Sequence, residues 1–226
     1  MANNLCTELK VHLSSRHLHP TDAWLQTFIS TVRPNTPIPA LKQTCLFRLL
    51  ATDITNSLDQ PQSSLFPSDV LNAKAQSRFL AGPIVCQVLD IEDIGSSRWS
   101  QVESLEATER GETTKGREII RVTDDEPNGA IPTSTISKGP FKILLQDAKG
   151  TKVYALDLSG TNGLHTGISM GTKLVIRNAD VRRAVLMLEP GRTQILGGKI
   201  EALDKVWKEG RKERLMAAAR AQNSEA

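Results

Sequence analysis

Asp90, Glu92 and Asp93 crowd the end of one β-rich stretch, and such carboxylates could hold a cation or work as an acid/base pair. The simpler reading is a solvated strand terminus. Gly167-Ile168-Ser169-Met170-Gly171 spells G-x-S-x-G, but no helix signal follows and Gly171 opens a strand, so Ser169 reads as a loop residue and not a nucleophile elbow. His12, His17 and His19 lie in or beside the first helices and His165 in a later loop, none with an acid or nucleophile beside it. No H-E-x-x-H, phosphate-binding G-x-x-x-x-G-K or dinucleotide G-x-G-x-x-G is present. Cys6, Cys45 and Cys86 are far apart, with no C-x-x-C and no His at ligand spacing, which argues against a zinc site or a disulfide framework. The expectation is a chain with no catalytic residues, no metal and no cofactor.

Charge narrows the partners. Lys and Arg number 28 against 25 Asp and Glu, a formal net charge of +3. A protein that grips DNA chiefly through its phosphates carries a denser basic excess, so any DNA contact is expected to be weak or shared with a partner. Single-strand binders interleave aromatics with basic residues on their strands. Here aromatics are 4% of the chain, and Phe141 and Tyr154, the strand aromatics after Phe79, fit core or barrel-end packing. The longest apolar runs, such as Ala184 to Leu188, are too short to span a bilayer, and no apolar signal segment opens the chain. A reducing compartment, cytosolic or nuclear, is the natural expectation.

The elements that position these residues fall into two kinds. Leu5, Leu9 and Leu13 recur every fourth residue. Thr21 is a natural N-cap for a stripe of Trp24, Leu25, Phe28, Ile29 and Val32, with Trp24 and Phe28 read as core. Leu41, Cys45 and Leu49 share a third face. Residues 1–60 therefore predict a three-helix bundle, and 61–78 a linker. From residue 79 the period changes. Pro83 to Ile91 is β-rich; Phe141, Ile143 and Leu145 alternate with Lys142 and Gln146; Asp147 to Gly150 makes a turn, and Val153 to Leu158 returns. Short β-runs follow at Gly171–Ile176, Arg183–Leu188 and Thr193–Leu196. That series suits a small closed barrel of OB-fold type over 79–200, with a turn or a single helical turn expected at Asn162–Gly167, where that fold usually places a helix. Residues 201–226 predict one charged C-terminal helix and tail, with Leu203, Val206 and Trp207 facing inward.

Residues 96–139 stand apart as an insertion between the first two barrel strands. Six basic residues face eight acids there, with little periodicity. Either the stretch is disordered and inconsequential or it orders on a partner; Ile119, Ile120 and Val122 favour the second reading. Lys173, in an otherwise apolar strand, reads either as a stem packed on the barrel with its amine in water or as a partner contact.

Several blocks in order carry a resemblance. They are Trp24-Leu25-x-x-Phe28, Val88-Leu89-Asp90-Ile91-Glu92-Asp93-Ile94, Phe141-x-Ile143-Leu144-Leu145-Gln146-Asp147, Gly171-Thr172-Lys173-Leu174-Val175-Ile176 and Val185-Leu186-Met187-Leu188-Glu189-Pro190. Ile195-Leu196-Gly197-Gly198-Lys199-Ile200-Glu201-Ala202-Leu203 closes the set. Together they resemble the RecQ-mediated genome instability protein 1 family, in its short, fungal-type form, over most of the chain except 96–139. The resemblance implies an α+β chain, a three-helix bundle followed by an OB-fold barrel with a long insertion and a C-terminal helix. It implies a nuclear, non-catalytic subunit that binds topoisomerase III and, with a RecQ helicase, dissolves double Holliday junctions. In the family the insertion reaches toward the topoisomerase gate. The residues expected to meet it are Arg98, Trp99, Arg117, Ile119, Ile120, Arg121 and Val122, with Lys142, Lys152 and Lys173 on the barrel. The second OB-fold of animal members is expected either to be absent from this protein or to have been cut away from this sequence. The alternatives are a stand-alone single-stranded-DNA-binding OB-fold protein and a scaffold in an unrelated assembly.

Overall fold

The computed structural model describes residues 2–33, 36–110, 112–115, 118–121 and 139–224. Helices α1 (Ala2–Ser14), α2 (Asp22–Ser30) and α3 (Ile38–Leu50) form where the apolar residues recur at helical spacing, and they bury Leu9, Leu13, Leu25, Phe28, Leu41, Cys45 and Leu49 together. Thr21 caps α2 by accepting from the Trp24 amide at 3.2 Å. Pro39 falls in the first turn of α3, where a missing N–H leaves nothing unsatisfied. A single turn, α4 (Ile54–Ser57), follows, capped by Asp53, which accepts from the Thr55 amide at 2.8 Å. In the stretch expected to be a linker, Leu65, Phe66 and Val70 are buried.

The sheet is built from β1 (Arg78–Leu80), β2 (Ile84–Asp93), β5 (Phe141–Asp147), β6 (Lys152–Asp157), β7 (Lys173–Ile176), β8 (Ala179–Arg182), β9 (Val185–Leu188) and β10 (Thr193–Gly197), in the order β1-β8-β9-β6-β5-β2-β7-β10. Between β2 and β5 lie helix α5 (Arg98–Glu109) and a hairpin of β3 (Glu112–Lys115) and β4 (Glu118–Arg121). Neighbours in the large sheet are antiparallel except β6 and β9, which run parallel. The spacing predicts neither β1 nor β8; at 3 and 4 residues they are too short for alternation to register, and they stabilise one another at the sheet edge. Alternate residues point inward: Phe141, Ile143 and Leu145, then Val153 and Ala155, then Leu174 and Ile176, then Leu186 and Leu188, all buried. The expected OB-fold architecture is present. Asp147 ties its hairpin by accepting from the Lys149 and Thr151 amides at 3.0 and 2.8 Å, and Gly150 takes the positive φ of the turn (+93°). The segment after β6 is a chain of turns, and its Leu164, Ile168 and Met170 plug the barrel.

The C-terminus corrects the expectation of one helix. Helix α6 (Glu201–Glu209) and α7 (Arg211–Ser224) meet at Gly210. Trp207 is buried, but Val206 is 69% and Leu203 37% exposed. The inward line is set by Asp204, which accepts from the Met170 amide at 2.9 Å and from Lys208 at 2.8 Å. Burial alone would raise this carboxyl; the hydrogen bonds from Lys208, the Met170 amide and Lys199 outweigh it and hold it below the ordinary carboxylate value.

The bundle rests on the outer side of β2 and β7. Val85, Val175 and Ala148 belong to the helical core. Beside them Gln87, fully buried, accepts from the Ile54 amide at 3.1 Å and donates to Asp53 at 3.2 Å and to Gln146 at 2.9 Å. Lys173, cross-strand from Gln87, lies in the same joint, 1% exposed, and donates to the Gly171 carbonyl at 2.8 Å. Both readings of Lys173 therefore fail: its amine is neither in water nor on a free surface, because the bundle covers this side of the barrel.

Burial lowers the Lys173 amine to about 8 from its usual 10.5, against a smaller opposing pull from Asp53. Below pH 8 the amine is charged folded and unfolded, and its desolvation cost is fully present. Between pH 8 and 10.5 the unfolded chain holds more of this proton, so the Lys173 contribution makes the fold more stable as pH rises. Lys173→Met, which keeps the stem, should raise stability at pH 7 by about 1–3 kcal/mol. That advantage should shrink across the window. Denaturant melts of both proteins at pH 7 and pH 10 check this, and an advantage equal at both pH values refutes it.

Candidate partner-binding face of the barrel

The insertion does not begin as a structureless segment. Ser97 caps α5, accepting from the Ser100 amide at 3.1 Å. The helix is silent in the sequence pattern because Val102 is its one buried apolar residue and its packing partner, α7, lies about a hundred residues on. Lys212 of α7 bridges Glu106 at 3.2 Å and Glu109 at 2.8 Å, beside buried Leu215 and Ala219. Surface pairs like these add little individually; they set the register of a contact that the apolar residues hold.

The carboxylates at the end of β2 anchor this arrangement, so they are not simply solvated. Asp90 accepts from the Trp207 indole at 2.6 Å. Glu92 pairs with Arg98 at 3.0 Å and with Lys142 at 3.5 Å. Buried Asp93 accepts from the Gly95 amide at 2.8 Å and the Ser96 hydroxyl at 2.9 Å, and Gln101 reaches back to the Asp93 carbonyl at 2.9 Å. Arg211 and Arg214 lie over the Trp207 ring, 5.4 and 5.6 Å from its centroid. Every acid of the trio has a structural partner. Among the described residues no group of His, Cys, Asp and Glu could hold a metal. Burial pushes the Cys45 thiol up to about 11 and raises that of Cys86 too, the reverse of what a thiolate nucleophile needs.

Beside this root lies a partly open sheet face. Cross-strand register aligns Leu144, Tyr154 and Val185 in one row and Phe79, Asp180, Met187, Leu156, Lys142 and Glu92 in the next. These residues point away from the barrel interior, and neither core contains Leu144, Leu156, Val185 or Met187. Tyr154 is 48% and Phe79 59% exposed, so Tyr154 is not the core or barrel-end residue expected. Lys142 lies 4.9 Å over the Tyr154 ring. A contiguous apolar strip rimmed by charges is what a protein-binding face looks like.

Of the residues predicted to bind a partner, Arg98 and Lys142 meet at Glu92, and Lys152 lies on the same outer face two residues before Tyr154. Arg98 is spent on Glu92, Trp99 is 42% exposed in the first turn of α5, and Lys152 is exposed at the start of β6. Lys173 lies in the joint with the bundle. Ile119, Ile120 and Arg121 fall in β4, opposite Thr114, Thr113 and Glu112, but their side chains, like Arg117 and Val122 altogether, lie outside the described residues. Sequence reasoning missed Leu144, Leu156, Val185 and Met187. The available signal was that these outward positions are apolar where a solvated sheet face should alternate to polar.

Two family models match this chain: one described as "RMI1, N-terminal helical domain" over residues 13–57, the other as "RMI1, N-terminal OB-fold domain" over residues 66–211. The chain is similar to RecQ-mediated genome instability protein 1 of Schizosaccharomyces pombe, 27% identical over 89% of this chain and 91% of that protein. It is similar also to the proteins of that name from Mus musculus, 24% identical over 84% of this chain, and Gallus gallus, 25% identical over 88%. It spans only 30% and 31% of those two animal proteins.

If Trp207 of α6, held by Asp90 and lying under Arg211 and Arg214 of α7, seats α7 against the insertion root, then Trp207→Ala should cost about 3 kcal/mol. It should strip hydrogen-exchange protection from the α5 amides while the α1–α3 amides keep theirs. Unchanged α5 protection would mean that α5 is held without Trp207.

Proposed function

The chain belongs to the RecQ-mediated genome instability protein 1 family, and from that membership we propose that it is a nuclear, non-catalytic subunit that docks on topoisomerase III and biases its DNA gate. The family membership gives a genome-stability and DNA-repair role alongside a RecQ helicase; the topoisomerase, its gate and the dissolution of double Holliday junctions are our reading. The observation that carries it is the half-buried apolar strip of Leu144, Leu156, Val185 and Met187, with exposed Tyr154 among them, next to the anchored root of the insertion. A partner seated on that strip would find the insertion projecting beside it from a fixed base.

The physics asks no proton transfer of this chain. A type IA topoisomerase cuts one strand and must open to pass another. A subunit that binds the open gate more tightly than the closed one shifts the equilibrium by its differential affinity. A difference of about 1.4 kcal/mol changes the ratio tenfold, within reach of a few loop contacts. A second reading, single-stranded DNA bound on the same face, draws on Tyr154 with Lys142 and Lys152 around it. Two exposed rings, Tyr154 and Phe79, supply only a short stacking platform, so such binding should be weak and salt-sensitive.

The two parts separate by mutation. Tyr154→Ala with Leu156→Lys should weaken co-elution with the organism's topoisomerase III by about 2 kcal/mol or more, roughly thirtyfold in Kd. Deleting residues 111–138 should leave co-elution intact and change decatenation rates. No complex with the unaltered chain, together with tight binding to single-stranded DNA, would replace this reading by the second. Unchanged decatenation after the deletion would sink the gate.

A further inference from the structure

The bundle carries an open groove of about 330 Å³ between α2 and α3, away from the barrel face and independent of the topoisomerase reading. Its floor is Trp24 and Phe28, stacked with centroids 5.8 Å apart and planes 5° from parallel. Phe47 forms one wall and is 74% exposed, with Ala51 beside it. Thr27, Thr31 and Thr52 line the rim. The charged group in the lining is Arg48. Its guanidinium lies 5.5 Å over the Phe28 ring and donates to the Thr31 hydroxyl at 2.7 Å, and among the described residues it pairs with no carboxylate. Helix α3 contains no acid, and the one acid of α2, Asp22, pairs with Lys10.

Nothing in the bundle requires Phe47 to face water. Polar side chains at such an exposed helical position are the rule, and a large ring there beside two others is an apolar surface without a cover. The cation supplies the polarity of the missing piece. An apolar segment alone would leave Arg48 desolvated and unmatched, whereas a segment with a carboxylate beside its apolar anchors satisfies both. We propose that this groove docks an acidic amphipathic helix of a protein partner, with apolar anchors one turn apart against Trp24 and Phe47 and an Asp or Glu on Arg48. A nucleic acid fits less well: the face of Phe28 is already taken by Arg48, and one cation does not neutralise a run of phosphates.

The probe is a library of displayed peptides of about sixteen residues, roughly four helical turns, panned against the full chain. The groove reading expects enriched sequences that place large apolar residues at i and i+3 or i+4 around an Asp or Glu. A synthetic copy of the strongest should show fluorescence-anisotropy binding that weakens about thirtyfold with Phe47→Ala or Arg48→Glu. Tyr154→Ala, on the barrel, should leave it unchanged. Both groove residues are exposed, so these variants keep the bundle core. Enriched peptides that are basic, or that bind Phe47→Ala and Arg48→Glu equally well, would overturn the proposal. So would no enrichment, a Phe47-dependent dimer in sedimentation, or a poly-dT oligonucleotide whose binding depends on Phe47 and Arg48.

Discussion

A primary amide with no water to turn to holds the two halves of this protein together. Gln87 projects outward from the barrel, a position where a sheet residue ordinarily meets solvent. The bundle covers it, and its oxygen and nitrogen are satisfied by the Ile54 amide, Asp53 and Gln146. A buried amide left unmatched costs more than the bond it loses, so the bundle has one seat on which these groups all find partners. Asp53 serves both ends of the bargain: it caps α4 and receives the Gln87 amide. Apolar contacts of Val85 and Val175 with the helical core supply the non-directional part of the same joint.

Strand β2 is the element on which everything else is hung. Its first half pairs with β7 and carries the bundle on its outer side. On its other edge β5 pairs from Cys86 to Asp93, across a register shift between Val88 and Asp90 that bends the strand. Its last residues then fix two distant pieces of chain, with Asp90 receiving Trp207 of α6 and Asp93 and Glu92 receiving the turn into α5. The insertion thus leaves the barrel from a base determined by three carboxylates and a tryptophan, whatever its distal residues do.

The same alternation that fills the barrel also explains where a partner could sit. Outward residues on β2 and β7 are covered by helices; on β5, β6 and β9 the outward Leu144, Leu156, Val185 and Met187 belong to neither core and stay half-buried, with Tyr154 exposed among them. The chain is near charge balance, two of its thiols are raised by burial, and the acids at the end of β2 are committed to structural bonds. On the proposed gate reading, its contribution lies in which conformation of its partner it binds better, a free-energy difference small enough for loop contacts to provide.

Periodicity alone was enough to separate helices from strands here, because leucines at every fourth residue and the Phe141-Ile143-Leu145 alternation are local statements about which side of an element is apolar. Ordered blocks were likewise enough for the family. Where elements depend on distant partners, local pattern was mute. Helix α5 has one buried apolar residue because α7, far along the chain, supplies the rest of its packing. Val206 and Leu203 looked inward by hydrophobicity, but Asp204, bound to the Met170 amide, turned the helix so that they face out. Lys173 carries a charge and so reads as exposed; only the docking of the bundle on that side of the barrel buries it. Residue type sets what a position can tolerate, whereas burial is a property of what the folded chain brings against it, and no window of sequence contains that.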